Sequence, residues 1–205
     1  MENLIAFISA SIIIELTPGP NMAFLALVGA TQGRRRGFAT VLGVALGLFI
    51  IGLLCALGVG GIISRSPTLF QILRWGGIVY LLYLAIEGWQ EADLSASRRT
   101  NSNATELTYF RHGLTVNLLN PKAALFYITV LPTFLSARDS AWSEIFGLTA
   151  IYVSIATIIH ILIVVFASSF HSFLDDARRS LWVKRGLAIA LALTAIWFGW
   201  STRAS

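Results

Sequence analysis

The chain has 205 residues, of which 56% are hydrophobic and only 12% charged, roughly half the charged share of an ordinary soluble domain. Its net charge of +5 does not indicate nucleic acid, because the basic residues sit in short loops between apolar spans, where they orient a membrane protein. Cys55 is the single cysteine, which excludes a disulfide framework and a thiolate metal cluster. No metal or other cofactor is expected.

The N-terminus begins Met-Glu-Asn, without the basic segment of a cleaved signal peptide, so the first apolar span is read as retained. That span runs from Leu4 to Ala30 and is interrupted by Glu15-Leu16-Thr17-Pro18-Gly19-Pro20-Asn21. Pro18 and Pro20 donate no amide hydrogen, which leaves the carbonyls of Ile14 and Leu16 without their helical partners. Thr17 and Gly19 each precede a proline and are pushed out of the α region. The pattern predicts a helix that stops near Leu16 and restarts with Gly19 as cap and Pro20 at its first position. The amides near Asn21 and Met22 then point into the gap.

A loop, Thr31-Gln32-Gly33-Arg34-Arg35-Arg36-Gly37, is expected before span two, Phe38 to Ile63, which carries no charge. Gly43 and Gly47 lie at the four-residue spacing that lets helices approach closely, and this face would permit a homodimer without requiring one. After a turn at Ser64-Arg65-Ser66-Pro67, span three covers about 68–89, with Arg74 and Glu87 near its ends, where long side chains reach the interface. A polar linker follows. Span four, about 112–135, repeats the interruption at Asn117-Leu118-Leu119-Asn120-Pro121-Lys122, where Pro121 orphans the Asn117 carbonyl and Asn120 suits a helix cap. Span five, about 141–170, carries His160. The polar segment 171–185 is expected to lie on the membrane surface, and span six, about 187–200, is the shortest. Spans of this length exceed or approach the roughly 20 residues that cross a bilayer.

Three spans with a broken first helix, a linker and three more spans suggest two halves. Each half has an odd number of spans, so the second is inserted upside down relative to the first, as in many secondary transporters. The expected fold is an all-α polytopic membrane protein of six transmembrane helices. They form one domain (residues 1–205) made of two inverted three-helix repeats, about 1–93 and 108–205, joined by a linker near 94–107. Arg34, Arg35, Arg36, Arg98, Arg99, Arg111, Arg178, Arg179, Lys184 and Arg185 fall on one side, against Arg65, Arg74, Arg138 and Arg203 on the other. The basic excess places the first side in the cytoplasm and both termini outside.

Glu15 lies one turn before the first break. A charge near the bilayer centre costs about 2.5–3.5 kcal/mol on insertion scales, so it needs a partner, a proton or a wet cavity. It either binds a substrate ammonium or carries a proton, or, protonated or paired, it only locks two helices. Lys122 stands at the start of a restarted helix, where the dipole disfavours a cation. Its anion is either Glu15, in a structural pair between halves, or a substrate carboxylate, with snorkelling to an interface a third reading. Thr17, Asn21, Asn117 and Asn120 offer neutral donors and acceptors at the breaks. Capping is the simpler role for Asn120 and ligand contact the better one for Asn117. His160 could relay protons or bond a neighbouring helix.

Thr17-Pro18-Gly19-Pro20-Asn21, the Gln32-to-Gly37 loop, Gly43-Val44-Ala45-Leu46-Gly47, the stretch Trp75 to Leu84 and Asn117-Leu118-Leu119-Asn120-Pro121-Lys122-Ala123 together resemble the LysE/RhtB family of amino-acid exporters. The resemblance covers nearly the whole chain and is weakest after about residue 140. It implies a multi-pass carrier of the bacterial inner membrane that exports amino acids or close derivatives without ATP, coupled to protons. Read from the two breaks and their polar neighbours, the candidate substrate-binding residues are Glu15, Thr17, Pro18, Gly19, Pro20, Asn21, Asn117, Asn120, Pro121 and Lys122, with Glu15 and His160 the candidates for proton coupling. Leu48 and Phe49 stand where family members often carry an acidic or polar residue, which points to a neutral, threonine- or homoserine-like substrate rather than a strongly cationic one.

Two other classes compete. A membrane thiol–disulfide oxidoreductase needs two cysteines, and neither His-Glu-x-x-His nor Gly-x-Ser-x-Gly is present for hydrolysis. A non-transporting scaffold or assembly subunit remains the alternative, although broken helices with polar residues at matching places are costly for a scaffold.

Overall fold

The computed structural model describes residues 2–58, 66–97, 105–135, 142–170 and 177–201. These residues form helices α1 (Glu2–Leu16), α2 (Pro20–Ala56), α3 (Pro67–Ser97), α4 (Glu106–Leu118), α5 (Pro121–Leu125), α6 (Trp142–Ser169) and α7 (Ala177–Ser201). A π turn, Phe126–Val130, and a 3-10 turn, Leu131–Phe134, continue α5. Among the described residues there is no strand. Three helical stretches are long and apolar enough to cross a membrane: Pro20–Ala56, Thr68–Gln90 and Trp142–Ser169. The pair Glu106–Leu118 and Pro121–Phe134, bent by 50°, makes a fourth if taken as one span. This is a multi-pass membrane protein.

Both proline interruptions are breaks. α1 ends at Leu16, and Gly19 caps α2 in extended geometry (φ −166°, ψ 179°) with Pro20 following it. The Ile14 carbonyl is not orphaned as expected. The Thr17 amide donates to it and to the Ile13 carbonyl, each at 3.1 Å, tightening the last turn. In the second break the Asn120 side chain accepts from the Lys122 amide at 3.0 Å, as a cap should. The Asn120 amide itself picks up the Asn117 carbonyl at 3.0 Å, the group that Pro121 leaves free.

The expected loop at 31–37 is instead a helical corner. α2 carries one non-helical residue, Gly33, at φ 78° and ψ −177°, a region open to glycine. Leu25 and Val41 nonetheless pack in one cluster with Val164 of α6. In a straight helix those two residues would stand about 24 Å apart, so the chain folds back at Gly33. The three arginines pin this corner to its neighbours. Arg34 Nε donates to Ser168 Oγ at 3.1 Å, Arg35 Nε lies 2.9 Å from Glu106 Oε1, and the Arg36 guanidinium stands 5.3 Å from the Tyr109 ring centre.

Two cores flank the breaks. One joins Phe24 and Leu27 of α2 to Ile78 and Leu81 of α3, Val116 of α4 and Leu191 of α7. The other joins Phe7 of α1 to Val44 and Leu48 of α2, Phe126 and Tyr127 beyond α5, and Tyr152 and Ala156 of α6. α2 crosses α4 at backbone contact. A Cβ on Gly43 would land on the Phe110 carbonyl and 2.8 Å from the Leu114 amide, and one on Gly113 would land on the Thr40 carbonyl. Gly47 is likewise filled by Asn117, whose Nδ2 would stand 2.8 Å from an added Cβ. The small-residue face is thus consumed inside the chain and is not on offer to a second copy.

Other expectations change with packing. Arg74 does not snorkel: it is 3% exposed, donates to the Gly199 carbonyl near the end of α7 and to Gln71 Oε1 at 3.2 Å, and stands 5.4 Å from the Trp75 ring. Residues 177–185 belong to α7 instead of a surface segment, and α3 runs past its expected end to Ser97. The turn at 64–65, the linker at 98–104, residues 171–176, Arg138 and Arg203 lie outside the described residues.

The glycine crossing predicts opposite signs for two like substitutions. Gly43→Ala should destabilise the purified protein by about 1–3 kcal/mol, the usual cost of overpacking. Gly147→Ala, whose Cβ meets nothing within 4 Å, should be neutral or stabilise by up to about 1 kcal/mol through helix propensity. Thermal unfolding in detergent checks both.

Candidate functional site

The two breaks meet. Asn21 Nδ2 donates to Asn117 Oδ1 at 2.8 Å, joining the start of α2 to the end of α4 across 96 residues of sequence. Lys122 Nζ donates to the Thr17 carbonyl at 2.8 Å, so a cation from the second break caps a carbonyl exposed by the first. The Lys122 chain passes over Gly19, where an added Cβ would stand 3.4 Å from Lys122 Cδ. Between the breaks lies a small cavity of about 10 Å³. Glu15, Gly19, Asn21 and Met22 line it from the first break, and Asn120, Lys122 and Ala123 from the second.

Three positive features converge on that cavity. Asn21 and Met22 occupy the first turn of α2, where amides have no acceptor within the helix. The start of α2 carries the positive end of its dipole. The Lys122 ammonium completes the set. Such an arrangement favours an anionic group, as helix N-termini generally do.

Glu15 forms the opposite pole. It is 4% exposed, yet it does not pair with Lys122: among the described residues no ion pair within 4.0 Å joins them. Its carboxylate is held from α6 instead. Tyr152 Oη donates to Glu15 Oε1 at 2.5 Å, and His160 Nε2 stands 3.3 Å from Glu15 Oε2. The His160 contact is close without the alignment of a hydrogen bond, and both ring nitrogens lack a hydrogen-bond partner. Tyr152 is itself clamped, its ring stacked at 3.7 Å on Phe126 and set edge-on to Tyr127 at 5.5 Å.

The residues singled out from sequence fall into distinct places. Glu15, Gly19, Asn21, Asn120 and Lys122 line the cavity. Asn117 is fully buried behind it and holds Asn21, while Pro20 and Pro121 are buried as the first residues of restarted helices. The Thr17 hydroxyl turns back to the Ile13 carbonyl at 2.9 Å, leaving its backbone carbonyl for Lys122, and Pro18 is exposed. His160 stands behind Glu15, away from the cavity lining. Sequence reasoning missed Tyr152. The signal was present: Tyr152, Ala156, His160 and Val164 recur every four residues in an otherwise apolar helix, and all four are buried.

Comparison with known proteins finds relatives along most of the chain. The chain is 31% identical over 153 residues to a homoserine/homoserine lactone efflux protein of Salmonella typhimurium, covering 72% of this chain and 73% of the relative. It is 25% identical over 180 residues to a leucine efflux protein of Klebsiella pneumoniae, covering 87% and 85%. A membrane protein of Vibrio cholerae described as uncharacterized is 24% identical over 149 residues, covering 72% and 73%. No solved structure matches the chain. The family model for LysE type translocators matches residues 12–202, which takes in both breaks, and the chain belongs to that family.

Proposed function

We propose that the chain is a secondary exporter of neutral amino acids in the bacterial inner membrane, working as two inverted three-helix repeats and driven by the proton gradient. The observation that carries this reading is the meeting of the breaks: a carboxylate and an ammonium line one cavity without neutralising each other. A zwitterion supplies the missing counterpart of each. Its carboxylate would replace the Thr17 carbonyl at Lys122 and face the Asn21 and Met22 amides. Its ammonium would face Glu15. A scaffold protein has no need to keep two opposite charges apart in an apolar bundle, where their attraction would be strong.

The relatives fit this division of labour. Leucine, homoserine and homoserine lactone share an amino group and differ in the carboxyl end and side chain. A carboxylate that holds the amino group is a contact all three can make. The pairing of α3 with α7, and of α2 with both α4 and α6, is the pattern two inverted halves would produce. The basic corner at Arg34, Arg35 and Arg36 supports a cytoplasmic position for that end, with both termini outside.

For coupling, Glu15 would exchange the substrate ammonium for a proton drawn from outside, with Tyr152 and His160 holding the carboxylate in either state. Glu15→Gln fills nearly the same volume and keeps the fold. It is expected to leave uptake into everted vesicles insensitive to an imposed pH gradient, at a rate at least tenfold lower. Normal export that still responds to the gradient would make Glu15 a structural partner only. Lys122→Met should weaken L-homoserine at least tenfold and homoserine lactone, which lacks the carboxylate, far less. Competition against a radiolabelled substrate measures the difference.

Orientation is tested separately. On a Cys55→Ser background, single cysteines at the termini should react with an impermeant maleimide in intact cells, and a cysteine at Arg35 only after permeabilisation. The reverse pattern overturns the assignment.

A further inference from the structure

A second cavity lies between α2, α3, α4 and α7, with a volume of about 40 Å³, four times that of the cavity at the breaks. Its walls include Phe24 and Leu84, the rings of Tyr109 and His112, and two charged side chains, Glu87 and Lys184. The two cavities follow one another along α2. Phe24 is one turn beyond Asn21 on α2, and His112 lies five residues before Asn117 on α4, so about 5 and 8 Å of helix separate each from the asparagine bond. The Phe24 and His112 rings stand 6.4 Å apart, between the larger cavity and the breaks. Its far end reaches Thr31, Gln32 and Thr108, beside the Arg35–Glu106 pair at the basic corner.

We propose that this cavity is a loading site for the exported amino acid, in which the Glu87 carboxylate takes the ammonium group before the substrate passes the Phe24–His112 contact to the breaks. The proposal rests on the export reading above. Glu87 is half-buried on a mostly apolar wall and, among the described residues, makes no hydrogen bond or ion pair. A carboxylate so placed is costly without a cation to meet it. Phe24 and Leu84 offer an apolar side chain its contact, and Lys184 brings positive charge into the same lining for the carboxylate end. The ligand class is a zwitterion with an apolar or weakly polar side chain. Two carboxylates, Glu87 and Glu15, would then receive the same ammonium in sequence along α2. The basic corner sets the order, since the larger cavity reaches Thr31 and Gln32, at the end proposed to be cytoplasmic.

The test places a reporter cysteine, Thr108→Cys on Cys55→Ser, in the full-length protein in detergent and follows its rate of maleimide labelling. L-Leucine and L-homoserine are expected to slow labelling at least fivefold, whereas 4-methylpentanoate, which is leucine without its amino group, does not. Protection should persist with Lys122→Met, which disables the site at the breaks, and vanish with Glu87→Gln. Glu87→Asp, which keeps the charge, should restore it at higher ligand concentration and so separates loss of charge from loss of fold. In everted vesicles Glu87→Gln should raise the half-saturating substrate concentration at least tenfold and leave the maximal rate within twofold. Protection that survives Glu87→Gln, or that disappears with Lys122→Met, overturns the loading site while leaving the export reading intact. If the wild-type chain exports none of a panel of amino acids, the export reading falls and the loading site with it.

Discussion

A backbone group inside an apolar bundle must find a partner, and the rest of this structure follows from how the two broken helices meet that demand. Water is absent from the core of a bilayer, and each unsatisfied amide or carbonyl there costs several kcal/mol. Each half of the chain breaks its opening helix with proline and so creates the problem once. Local devices solve part of it: the Thr17 amide tightens the end of α1, and the Asn120 side chain caps α5. The remainder is solved between halves. Lys122 takes the Thr17 carbonyl, and Asn21 bonds Asn117. Each break thus supplies a partner to the other.

That arrangement also decides where charge resides. Lys122 is engaged by a neutral carbonyl and Glu15 by a phenol and an imidazole, so the two opposite charges line one cavity without collapsing on each other. In the proposed transport reading, contacts of this kind would be exchanged for a substrate's own charged groups. A direct Glu15–Lys122 pair would have been harder to open, because removing one partner from a buried pair strands the other. The Phe126 ring stacked on Tyr152, with Tyr127 edge-on to both, gives the Glu15 pole a rigid backing. Phe126 and Tyr127 sit where the helix after Pro121 loosens into a π turn, a feature frequent at functional sites.

Close approach of helices holds the breaks in register. Gly43 and Gly113 let α2 and α4 touch backbone to backbone, and Gly47 leaves room for the Asn117 side chain that receives Asn21. Gly33 turns α2 sharply enough for both of its halves to pack on Val164, and the arginines after it tie the corner to α4 and α6. The basic cluster after Gly33 therefore also fastens this turn.

By itself the sequence determined the all-helical membrane class, the two break points and the caps that restart each helix. Those follow from apolar length, from proline's missing amide and from asparagine's short side chain, all of which act within a few residues. It also marked Glu15, Asn21, Asn120 and Lys122, because an ionisable or amide group beside a break in an apolar span stands out. Only the tertiary structure decided which groups meet. Glu15 goes to Tyr152 and His160 and Lys122 to a carbonyl, Arg74 is buried against Gly199, and Gly43 and Gly47 serve α4 instead of a second copy. The helical corner at Gly33 was hidden for the same reason: a glycine between polar residues reads as a loop until packing on Val164 fixes its backbone. Partner choice depends on contacts between residues about a hundred positions apart, such as Asn21 and Asn117, and no local pattern carries that information.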